Sequence, residues 1–73
     1  MKGAVMGSIV KVIEVIASSK KSWEDAAAQA VTGAGKTVKN IKHFYVENMT
    51  AVVDDGAIKE YRINGKISFV VKD

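Results

Sequence analysis

The sequence predicts an α+β domain of order β-α-β-β. Its sheet has three antiparallel strands in order 1-3-2, with one helix packed on one face. Ile9–Ala17 is dominated by β-branched residues, which suit a pleated, buried surface. Trp23–Val38 is rich in alanine and repeats its apolar residues at helical spacing. Ile41–Val71 folds back at Asp55-Gly56, a strong two-residue hairpin signal because the turn that suits strand twist needs φ > 0. The helical crossover makes the first two strands run the same way, and the hairpin reverses the third. Placing the third strand in the middle makes every neighbour antiparallel.

Met1–Ser8 has two glycines and no clear period, so it is expected to be a disordered or poorly ordered tail. One domain is expected over 9–73. In Ile9–Ala17 only Lys11 and Glu14 interrupt the apolar residues. Such a run predicts burial on both faces. One helix covers only one face, so the second face calls for a partner chain. Ser18-Ser19-Lys20-Lys21 reads as a polar turn. Ser22 then stands as a helix N-cap, and Ser22-Trp23-Glu24-Asp25 approximates a capping box. Glu24 and Asp25 suit the positive end of the helix dipole, and Lys36 and Lys39 are expected at the negative end. The buried stripe is expected at Trp23, Ala27, Ala30, Ala34 and Val38, beside Ala26 and Val31. Gly33 and Gly35 weaken the last turns. Trp23 reads as core packing at the helix start rather than as a ligand platform.

The Asp-Gly turn sets the register of the hairpin. Asp54 should face Ala57, Thr50 Tyr61, Asn48 Ile63, Val46 Gly65, Phe44 Ile67 and Lys42 Phe69. That puts Phe44, Val46, Tyr61, Ile63, Ile67 and Phe69 on a packing face. His43, Tyr45, Glu47, Met49, Arg62, Asn64, Lys66 and Ser68 fall on the other. Each arm has about 14 residues and spans about 46 Å, whereas the helix spans about 24 Å. Much of the sheet must therefore extend beyond its helix. An exposed apolar extension is an aggregation hazard, and a closed symmetric oligomer resolves it.

Composition narrows the function. The chain has 73 residues and no cysteine, so neither disulfides nor thiolate metal sites can stabilise it. A core this small is marginal alone, which again favours association. The net charge is +3, with basic residues scattered among acids, so no nucleic-acid footprint is visible. No apolar run reaches the roughly 20 residues of a membrane span, and Ile9–Ala17 is too short and too charged for a signal peptide. The expectation is a mature, cytoplasmic protein that partners neither nucleic acid nor membrane.

No Gly-rich phosphate loop, zinc spacing or catalytic triad is present, so the chain is read as not an enzyme. His43 is its single histidine. It can stack on a planar ligand or titrate near neutral pH, or it can be an ordinary interface histidine. Tyr45 stands two residues on, on the same face, and can add a ring wall or pack at an interface. Arg62 offers a planar fork for carboxylate, phosphate or ring stacking, and also suits a salt bridge between subunits to Glu47 or Glu60. Glu47, Asp54 and Asp55 are oxygen donors open to calcium or magnesium, although two acids before a glycine more often make a turn.

Five stretches, in order and spacing, carry a family resemblance. They are Lys11-Val12-Ile13-Glu14-Val15-Ile16, Ser22-Trp23-Glu24-Asp25-Ala26-Ala27, Lys36-Thr37-Val38-Lys39-Asn40-Ile41, Val52-Val53-Asp54-Asp55-Gly56-Ala57-Ile58, and Tyr61-Arg62-Ile63 with Ser68-Phe69. Over Val10–Val71 the chain resembles the dodecins, small β-α-β-β proteins that assemble into hollow homododecamers. The resemblance implies a flavin store that traps stacked flavins between aromatic residues, with a glutamine on the ring edge. The family's stacking Trp falls at His43 here and its Gln at Arg62, so both identities are changed. The sequence is more similar to the subgroup lacking them, the calcium dodecins. The expected function is thus a homododecameric binding or storage shell with flavin binding weakened or lost, open to divalent cations. Two alternatives stand beside it. One is a flavin-sequestering dodecin that uses His43 and Tyr45 in place of the Trp. The other is a purely structural assembly with no small-molecule ligand.

Overall fold

The computed structural model describes residues 9–71. The expected tail at Met1–Ser8 lies outside them. Four elements follow in order: β1 (Ile9–Ser19), α1 (Trp23–Ala34), β2 (Ile41–Asp54) and β3 (Ala57–Val71). They form one antiparallel sheet of order β1-β3-β2, as the sequence predicts.

β1 runs two residues further than expected. Ser18 and Ser19 pair with Arg62 and Tyr61 instead of opening the turn. The Ser19 hydroxyl is the reason: it accepts from the Lys21 amide at 2.9 Å and donates to Asp25 at 2.6 Å. Ser22 caps the helix as expected, accepting from the Asp25 amide at 3.0 Å. The reciprocal half of a capping box is not made. The Asp25 carboxylate instead accepts from Ser19 and, at 2.6 Å, from Gln29.

The helix is shorter than the expected Trp23–Val38. It stops at Ala34 with Gly35 as its cap. Beyond it the chain tightens, with Lys36 and Thr37 amides donating to the carbonyls three residues back, a common way for a helix to end. No basic residue lies in the last turn, so Lys36 and Lys39 do not complement the dipole as expected. Ala26 and Ala30 are the buried stripe, whereas Val31 is exposed. Small side chains let the helix lie close on the sheet. The Trp23 ring meets Tyr61 edge-on at 4.9 Å, and its Nε1–H donates to the Thr50 carbonyl at 2.9 Å. That is the packing role expected of it.

The hairpin turns at Asp55 (φ 52°) and Gly56 (φ 77°), both positive as a type I′ turn requires. Asp54 faces Ala57, Val46 faces Gly65 and Phe44 faces Ile67, as expected. Three irregularities interrupt the ladder, at Val52/Val53, Val46/Asn48 and Ile41/His43. The first shifts the pairing by one and the second restores it. Between them Thr50 therefore faces Arg62, not Tyr61, and Asn48 faces Asn64, not Ile63. Met49 faces Ile63 and so belongs to the helix-side face, a correction to the expected assignment. At the far end Ile41, not Lys42, faces Phe69.

The core is Ala26, Ala30, Ile63 and Ile67, on the side of the sheet that the helix covers. The described residues span 58 Å, and a twelve-residue helix covers about 18 Å of that. β1 alternates: Ile13, Val15 and Ala17 are half-buried, while Val10, Val12 and Ile16 are exposed, Ile16 at 78%. Within one chain, the second face of β1 is open.

Candidate functional site

The open face is built in cross-strand rows, because paired residues in an antiparallel sheet point the same way. One row is Val12, Ser68 and His43; the next is Glu14, Lys66 and Tyr45. Ile16, Asn64 and Asn48 follow, then Ser18, Arg62 and Thr50. The middle member of each row lies on β3 and is flanked on both sides.

His43 and Tyr45 are brought together. Two residues apart on one strand, they share a face, and their rings stack with centroids 5.6 Å apart and planes 26° apart. Tyr45 is 56% exposed. Together they present an aromatic surface on edge strand β2. Ser68, placed on this face by the sequence but given no role there, lies beside it. The residue is buried at 4% exposure, with Oγ 3.4 Å from His43 Nδ1. The register pairs Ser68 with His43 as expected, but nothing in the sequence marks a serine on an alternating strand as the buried floor of a site.

Arg62 is not part of this platform. It lies six positions along β3 from Ser68, about 20 Å away. Its Nε is 3.3 Å from Glu60 within the same chain. Both groups are open to water, so the pair contributes little. Glu47 sits at the bulge beside Val46 and reaches Lys66 at 3.4 Å. It is therefore turned to the open face, as expected.

Glu47, Asp54 and Asp55 are not brought together. Asp54 and Asp55 are at the hairpin tip, and Glu47 is seven positions back along β2, about 23 Å. Among the described residues no group of three or more His, Asp or Glu side chains is close enough to hold a metal ion. Calcium takes about six to eight oxygens, and the tip of one chain supplies two carboxylates. The described carboxylates of one chain therefore do not by themselves form a cage for the ion. Among the groups that titrate, Asp25 stands out. The Ser19 hydroxyl, then the Gln29 amide, then the charge of Lys21, hold its carboxyl below the usual aspartate range.

A sequence profile described as Dodecin matches residues 9–72. The chain belongs to the dodecin family. The calcium dodecin of Mycobacterium tuberculosis is 38% identical over 65 residues, covering 89% of this chain and 92% of that protein. The dodecin of Thermus thermophilus is 25% identical over 68 residues, covering 93% and 99%. Solved dodecins share the fold. That of Streptomyces coelicolor superposes with a TM-score of 0.88 at 24% identity, covering 93% of this chain and 97% of its own. The calcium-chelating calcium dodecin of M. tuberculosis, 40% identical, gives 0.77 and covers 88% and 91%. Sequence and backbone thus favour different dodecins. A backbone at 24% identity speaks for the fold alone, so sequence likeness is the better guide to subgroup. Among the described residues no helix is long and apolar enough to cross a membrane.

Proposed function

We propose that this dodecin assembles into a closed homododecameric binding or storage shell in the cytoplasm, with flavin binding weakened or lost. The observation that carries the reading is the open face. Exposed Val10, Val12 and Ile16 on β1 flank a row of polar side chains on β3 and an aromatic pair on β2. Left in water, such a sheet is an association surface. A closed set of copies covers it, and any calcium or magnesium the shell holds is shared between copies, since the described residues of one chain bring no three carboxylates together. The role is binding rather than catalysis.

The weakening of flavin binding rests on His43 and Arg62 at the positions of the family's Trp and Gln. A Trp face buries more ligand than an imidazole. Arg62 has only donors, whereas a flavin rim presents donors and acceptors. Losing one buried hydrogen-bond partner costs about 1–3 kcal/mol. Riboflavin is therefore expected to bind at least about tenfold more weakly than to a variant carrying His43→Trp with Arg62→Gln. Calorimetry on both proteins, and light scattering for a particle of twelve chains, test the two halves of the proposal. A well-folded monomer at micromolar concentration sinks the shell.

One observation favours a second reading. The stacked rings of His43 and Tyr45 already offer a flat surface to a flavin. Tight riboflavin binding by the unmodified protein, with quenched flavin fluorescence, makes it a flavin-sequestering dodecin.

A further inference from the structure

We propose that Ser68 is a positioning residue that fixes His43 as the Nε2–H tautomer. The proposal rests on the reading of His43 and Tyr45 as a ligand platform. In this form the platform offers a hydrogen-bond donor and selects planar ligands whose rim carries acceptors, such as ring carbonyls or carboxylates.

Ser68 as a residue is buried, at 4% exposure, on the central strand between Val12 and His43. Among the described residues no buried side-chain oxygen or nitrogen is left without a partner, and the partner of Ser68 Oγ is His43 Nδ1 at 3.4 Å. A neutral imidazole has one donor and one acceptor nitrogen. If Nδ1 carried the proton, it would donate to Oγ, and the serine's own proton would be stranded in a buried place. If Nδ1 is bare, Ser68 donates to it and both groups are satisfied. The proton then sits on Nε2, the ring nitrogen left for a ligand. Tyr45 holds the ring from its face while Ser68 holds its edge. Ser68 is not a nucleophile here: its hydroxyl is on the floor of the face, and its strand's amides are committed to ladders on both sides.

His43 is the single histidine, so its ring nitrogens can be read by long-range nitrogen–proton NMR without assignment. At about pH 8.5, well above the ordinary imidazole range, the unmodified protein should show the Nε2–H pattern alone. Ser68→Ala should return the ring to a mixture of tautomers and reduce the ring-current shifts from Tyr45. Ser68→Thr, which keeps the hydroxyl, should restore both. A mixed or Nδ1–H pattern in the unmodified protein, or no change in Ser68→Ala, overturns the proposal. A riboflavin titration separates it from the reading beneath it. Ser68→Ala should weaken binding about two- to tenfold. If riboflavin binds none of the proteins while the tautomer is locked, the platform reading falls and the Ser68–His43 relation stands.

Discussion

Gly65→Ala is the substitution that asks most of this fold. Gly65 is buried on the central strand, paired with Val15 on one side and Val46 on the other. A β-carbon there would fall on the Tyr45 carbonyl oxygen and lie 2.9 Å from both a Phe44 ring carbon and the Tyr45 carbonyl carbon. Real β-carbons essentially never approach within 3.0 Å. A side-chain tip could swing away, but here two of the three atoms are backbone. Relief requires β2 to move off β3 beside the Val46/Asn48 bulge. Overpacking costs about 1–3 kcal/mol, and each ladder hydrogen bond lost adds about 1 kcal/mol. The entropy that alanine removes from the unfolded chain returns about 0.4–1 kcal/mol. The expected net loss is about 2–4 kcal/mol. Gly33→Ala is the control, because a β-carbon there meets nothing within 4 Å and alanine is the better helix former. It should stabilise by up to about 1 kcal/mol. Denaturant titration at one fixed chain concentration measures both, since assembly otherwise shifts the midpoint. Equal stability of Gly65→Ala and the unmodified protein refutes the close approach. The displaced strand also carries Tyr45 and His43, so the His43 NMR signals should move in Gly65→Ala and stay in Gly33→Ala.

Ile67 is fully buried, so Ile67→Ala should cost about 2–5 kcal/mol by the same titration, whereas Ile16→Ala at 78% exposure should be near neutral in any unassembled chain. Acid should expose the Asp25 network. Its folded carboxyl titrates below the unfolded value of about 3.9, so its contribution is complete above that value and is lost as pH falls through the depressed one. Ser19→Ala removes the largest cause of the shift, and the acid limb of stability against pH should flatten. An unchanged acid limb in Ser19→Ala would show that the 2.6 Å contact with Asp25 does not set the shift.

Much of the fold was legible because each signal is local. Asp55-Gly56 names its turn, Ser22 its cap, and β-branched runs their strands. The departures came from features without a local signature. A bulge inserts one residue and leaves composition untouched, so Met49 and Thr50 exchanged faces while Phe44 and Val46, beyond the compensating bulge, kept theirs. The early helix end was half visible: Gly33 and Gly35 weaken the turn, but propensity does not say which residue stops it. The platform was legible as two ring-bearing residues at strand spacing. Ser68 was not, since its burial depends on flanking strands that only the folded sheet brings alongside. The separation of His43 from Arg62 follows from the hairpin register, which pairs His43 with Ser68, six positions along β3 from Arg62.

The two faces of the sheet divide the labour of this chain. The residues that fix the fold, Ala26, Ala30, Ile63, Ile67 and Gly65, lie between helix and sheet or beneath the ring of Phe44. Those proposed to meet a ligand, His43 and Tyr45, stand exposed on an edge strand and contribute little to the single chain's core. Substitutions at such surface positions usually move stability by less than about 0.5 kcal/mol. Exchange of the ring at position 43 should therefore leave the backbone of the sheet in place, its cost confined to the contact with Ser68. Ser68 is the exception on the open face: it is buried like a core residue, yet bonded to the ring proposed to meet a ligand. A change there should be felt in stability and in ligand choice together, and a change at His43 that removes its Nδ1 acceptor should also carry a stability cost, because it leaves the Ser68 hydroxyl without its partner.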